Sequence, residues 1–75
     1  MIGFDLASPL PVRLAVYSVN GRKVRDLISG YMSAGHHSIA WDGLDGAGTP
    51  VSSGVYLYRL EAGGRSETKR MLLLR

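Results

Sequence analysis

Apolar and polar residues alternate along this chain in short runs, and each run is closed by a turn signal. Ile2, Phe4 and Leu6 share one face of the first run, which predicts a strand over 2–6. Ala7-Ser8-Pro9-Leu10-Pro11 reads as a turn, because each proline fixes φ and removes a donor. Alternation resumes from Val12 to Ser18, with Val12, Leu14 and Val16 inward and Arg13 outward. Asn20-Gly21 offers the two positive-φ positions of a type I′ hairpin turn. Arg22 to Ile28 is the returning strand, with Val24 as its core residue, and Ser29 to Gly35 reads as a loop with Tyr31 exposed.

His37, Ile39 and Trp41 then fall on one face of a further strand, and Val55 to Leu60 places Tyr56, Tyr58 and Leu60 together. Ala62-Gly63-Gly64-Arg65 is a second hairpin turn, followed by a last strand from Ser66 to Arg75. Its Met71-Leu72-Leu73-Leu74 run is apolar on both faces, so it should be covered on both sides or lie beside a neighbour. No window carries a capped helical stripe. Six to seven short strands at this spacing describe an all-β antiparallel sandwich or barrel.

Between the only Trp and the richest strand runs Trp41-Asp42-Gly43-Leu44-Asp45-Gly46-Ala47-Gly48-Thr49-Pro50-Val51-Ser52-Ser53-Gly54-Val55-Tyr56. Glycines, two aspartates and a proline make this a turn-forming connector between buried strands rather than a catalytic loop.

With 75 residues the chain is one domain, and a domain of this size buries only about 60% of its unfolded surface. No cysteine is present to staple it or to ligate a metal as thiolate. Nine basic and six acidic residues leave a net charge of +3. The basic residues alternate with apolar ones along strands instead of clustering, which argues for solvated faces and against nucleic acid. No apolar run approaches the ~20 residues of a membrane span, and no signal peptide is evident.

At this point the residues resemble a known family. Val12-Arg13-Leu14-Ala15-Val16-Tyr17-Ser18-Val19-Asn20-Gly21-Arg22-Lys23-Val24 is similar to its "V-x-L-x-V-Y-D-x-x-G-R-x-V" segment. Ala34-Gly35-His36-His37, Trp41-Asp42-Gly43, Asp45, Gly48, Val51 and Ser53 to Leu60 follow at matching spacing, and Arg70 to Arg75 resembles its closing "K-M-V-L-L-R" strand. The family is the type A C-terminal sorting domain of type IX secretion cargo, which overlaps with the Ig-like domain of flagellar hook-capping proteins. The chain departs from it in starting after the usual "P-N-P-F/A-x-P-x-T" segment, and in Ser18 where Asp is common. The resemblance implies a small Ig-like, fibronectin III-like sandwich at the C-terminus of a secreted protein. It would be exported by way of the periplasm and recognised by outer-membrane secretion machinery at the cell surface.

Each candidate for chemistry has a plainer structural reading. His36 and His37 are adjacent, so they point to opposite strand faces and do not share a metal; His37 should be satisfied by backbone or hydroxyl. Asp42 and Asp45 hint at a calcium loop, but Leu44 stands where a ligand is needed, and turn hydrogen bonding accounts for both aspartates. Ser53, His37 and Asp42 form a triad on paper only, so no catalytic, cofactor or metal residue is assigned and the chain is expected not to be an enzyme. Trp41, Tyr17, Tyr56 and Tyr58 could form a carbohydrate platform, yet a lone inward Trp is expected at the core, and Tyr56 should bond backbone at a strand corner. The last strand is the strongest functional element: as an edge it could add to another sheet, with Lys69, Arg70, Met71, Leu73 and Arg75 as partner-binding residues. The principal expectation is therefore a secretion and sorting module. The rivals are a structural Ig-like brick of a hook scaffold or filament, which would contact neighbouring domains or subunits, and a carbohydrate-binding accessory module.

Overall fold

A computed structural model describes residues 1–74 of the chain. Six strands follow in order: β1 (Ile2–Leu6), β2 (Leu10–Ser18), β3 (Lys23–Met32), β4 (Gly35–Ile39), β5 (Gly54–Ala62) and β6 (Arg65–Leu73). They form two antiparallel sheets, one ordered β3-β2-β5-β6 and the other a β1-β4 pair. The fold is a small all-β Ig-like sandwich. Alternation along β1 puts Ile2, Phe4 and Leu6 against Val12 and Leu14 of β2, and this cluster is the core. Leu14 and Val16 have no exposed surface, because β2 is central in its sheet and covered on its inner face. Tyr58, Leu60, Ala62 and Met71 extend the core toward the β6 side.

Several local expectations are corrected. β3 continues to Met32 and β2 begins at Leu10, so much of the predicted 29–35 loop and part of the 7–11 turn are sheet, with Leu10 opposite Met32 and Pro11 opposite Tyr31. Pro11 is tolerated because β2 pairs with β5 only from Val12 onward, leaving one side of Pro11 without a strand neighbour. Tyr31 is nevertheless exposed, at 75%.

The first hairpin is not type I′. Gly21 has φ 88° while no non-glycine residue among those described has positive φ, so Asn20 keeps ordinary geometry. The loop is Val19-Asn20-Gly21, closed by the Gly21 N–H donating to the Ser18 carbonyl and the Ser18 N–H to the Arg22 carbonyl. The second hairpin does use two left-handed glycines, Gly63 at 56° and Gly64 at 79°.

Two bulges explain β3. Register shifts opposite Leu14/Ala15 and Val16/Tyr17 leave Leu27 and Val24 as extra residues. The first bulge lets Leu27 and Ile28, though consecutive, both pack on the core. The second leaves Val24 half-buried and outside that cluster, contrary to its predicted core role. Between the bulges, Arg25 stands opposite Val16 and reaches the connector.

Candidate functional site

The connector is a fixed piece of backbone. Asp45 Oδ1 accepts the N–H groups of Ala47 at 3.0 Å and Thr49 at 2.9 Å, and the Asp45 N–H donates to the Thr49 carbonyl. Leu44 and Pro50 form an isolated bridge, the Val51 N–H donates to the Gly43 carbonyl, and the Gly46 N–H docks on the Val24 carbonyl of β3. Both aspartates therefore do what turn chemistry asks of them. Asp42 Oδ1 accepts from the Leu44 N–H at 3.1 Å and from the Arg25 guanidinium at 2.6 Å, an ion pair that sequence spacing did not reveal. Among the described residues, no three His, Cys, Asp or Glu side chains converge as metal ligands.

Desolvation pushes the Asp42 carboxyl upward, but the Leu44 N–H and the Arg25 guanidinium outweigh it and hold the carboxyl below its ordinary value. A depressed folded value means stability that is present above the unfolded pKa and lost as pH falls through the folded one. Asp42→Asn is expected to melt below the parent chain near neutral pH, and the difference should close as pH drops well below about 4. Thermal melts of both chains across that range check it.

Trp41 lies beyond the end of β4 and is half-buried, so it is not the centre of the core. Its indole N–H donates to the Leu44 carbonyl at 3.0 Å, and its ring meets Tyr56 edge-on at 5.1 Å and 71°. The strand ends at Ile39, two residues short of Trp41, so Trp41 does not share the Ile39 face. It clamps the connector instead.

Tyr56 is buried, and its hydroxyl donates to the Ser52 carbonyl at 2.6 Å, the strand-corner bond expected of it. Tyr56→Phe should cost about 1 kcal/mol, or roughly 4–8 °C in melting temperature for a domain of this size. A calorimetric scan reads that shift directly.

His36 and His37 point to opposite faces, as expected from adjacency. His36 Nδ1 lies 2.9 Å from Asp5 Oδ1. His37 Nε2 donates to the Ser33 carbonyl at 2.7 Å, and its ring stacks on Phe4 at 5.4 Å. The paper triad is not assembled, since His37 engages Ser33 and Phe4 while Asp42 engages Arg25 and Leu44. The aromatic residues do not form one platform either. Tyr56 and Tyr58 face inward, whereas Tyr17, paired with Leu57, lies on the outer face of the four-stranded sheet.

β6 is an edge strand, its only strand neighbour among the described residues being β5. Lys69 and Arg70 are exposed, while Met71 and Leu73 turn inward and are half-buried, Met71 against the core. Arg75 lies outside the described residues. The apolar run is covered on one face only. Leu72 and Leu74, at 62% and 76% exposure, stand on the open face, together with Val55 opposite Leu72 at 43%. Met71 and Leu73, the apolar pair among the expected partner-binding residues, are thus the inward pair, and alternation from Met71 places Leu72 and Leu74 outward.

The model of the FlgD Ig-like domain matches residues 1–66, most of the chain. The chain belongs to the FlgD Ig-like domain family. The match takes in both sheets from β1 through β5 and the β5–β6 turn, and ends as β6 begins. It supports the hook-capping side of the resemblance and does not extend to the type IX sorting side. No curated protein matches the chain in sequence. No helix among the described residues is long and apolar enough to cross a membrane.

Proposed function

We propose that this chain is a non-enzymatic, structural Ig-like interaction module, of the kind that serves a flagellar hook scaffold or another self-assembling structure. The observation that carries this reading is the FlgD Ig-like match over residues 1–66. The geometry agrees with it: the polar groups named in the connector are spent on its own turns and on β3, whereas β6 offers an open strand edge beside exposed Leu72 and Leu74. Leu72→Glu with Leu74→Glu in the host protein tests it, because both side chains face solvent and their replacement spares the core. Loss of assembly by electron microscopy, with an unchanged melting temperature of the domain, is expected. Intact assembly would contradict the reading.

One observation favours a second reading, the type IX sorting module with export through the periplasm to the cell surface. The segment holding Lys69, Arg70, Met71, Leu73 and Arg75 lies beyond the matched residues and carries the exposed apolar pair. A reporter fused to the domain and expressed in a type IX secreting host tests this. Export that survives deletion of residues 69–75 would remove the role given to the last strand.

A further inference from the structure

The two edges of the four-stranded sheet differ. The β3 edge is interrupted by two bulges, a common way of spoiling an edge for pairing. The β6 edge is regular: all nine residues from Arg65 to Leu73 pair with β5 without a register shift, and none is Pro or Gly. Such an edge is a template for another strand, and its charges decide which strand fits.

We propose that β6 pairs antiparallel with β6 of a second copy, about a two-fold axis passing at Thr68. This rests on the interaction-module reading and names its partner. A two-fold axis through a continuous antiparallel sheet keeps inner faces on one side, so each residue meets one from its own face, and the axis falls on a self-facing residue. Centring on Lys69 or Arg70 sets like charges opposite each other. Centring on Glu67 opposes two glutamates and sets Arg65 against Lys69. Centring on Ser66, Met71 or Leu72 leaves a shorter overlap within the strand than centring on Thr68 does.

Centring on Thr68 retains Arg65 to Met71 of each copy and opposes Glu67 to Lys69 of the second copy, twice by symmetry. Within one chain, Lys69 Nζ already lies 3.8 Å from Glu67 Oε1, both well exposed. In the pair, each carboxylate would sit between two ammonium groups, and the four charges would alternate in sign. Lys69 thus repels unregistered strands and attracts this one. The result is an eight-stranded sheet with both β1-β4 layers on the same face.

The chain has no native cysteine, so single cysteines report the register. Facing antiparallel residues have Cα atoms ~4.5–5.5 Å apart, within the disulfide range. Thr68→Cys should therefore cross-link to a dimer under mild oxidation. Arg70→Cys should not, because Arg70 faces Ser66 and the two cysteines would be ~13 Å apart along the strand. In sedimentation equilibrium, Glu67→Lys should weaken dimerisation by about tenfold or more, and Glu67→Lys with Lys69→Glu should restore it. A chain that stays monomeric at millimolar concentration, equal cross-linking at both positions, or a charge swap that fails to restore pairing would overturn the proposal. None of these results bears on assembly of the host protein, which the Leu72 and Leu74 variants test separately.

Discussion

Leu14→Ala is expected to lower stability by about 2–5 kcal/mol. Leu14 has no exposed surface and sits in the central strand, packed in the cluster that joins the two sheets. Removing its isobutyl group forfeits transfer energy and leaves a void that strand backbone does not readily close. A chain of this length has a total stability of roughly 4–11 kcal/mol, so the variant approaches the folding threshold. There is no disulfide to compensate. Urea titration should show the midpoint falling while the slope holds, the mark of lost stability in an unchanged fold. A loss below about 1 kcal/mol would mean that the β2 inner face is not the tightly packed centre.

Phe4→Ala is expected to cost about 3–5 kcal/mol, but in a different way. Phe4 is buried at 7% exposure, and its ring stacks on His37 across the β1-β4 pair. The two-stranded layer has few other means of holding to the large sheet: Ile2, Leu6 and Ile39 are its remaining apolar anchors. A two-stranded ribbon has little stability of its own. The variant should therefore open that layer before the rest of the domain. Amide exchange is expected to rise first in β1 and β4, while β2 and β5 retain protection. A uniform rise across all strands would show instead that the layers unfold as one.

These two residues were legible in the sequence because strict alternation exposes a core face. Ile2, Phe4, Leu6, Val12, Leu14 and Val16 all lie where period-two reading puts them. Tyr56 was legible for another reason, since a strand-corner hydroxyl needs only a carbonyl a few residues upstream, and Ser52 supplies it. Alternation failed where the backbone departs from it. The bulges at Val24 and Leu27 change which residues of β3 face inward, and a bulge leaves no simple trace in composition. Trp41 was misplaced because β4 stops at Ile39, after which the indole follows the connector. The Arg25–Asp42 pair joins residues 17 positions apart, a tertiary fact that no local pattern encodes. At β6 the run of four apolar residues splits by alternation, Met71 and Leu73 half-buried and Leu72 and Leu74 exposed, and only the cover on the second face is missing.

The aspartates and flanking aromatics of the connector are engaged by its own turns and by β3 and β5, and the open strand edge of β6 lies at the far side of the sheet from β3. The most direct measurement is amide hydrogen exchange of this domain, as a dilute monomer and within the assembled host protein. Protection gained along β6, from Arg65 to Leu73, with the 42–53 connector unchanged, is the predicted result. Protection gained in the connector and absent from β6 would contradict the assignment of β6 as the interacting element.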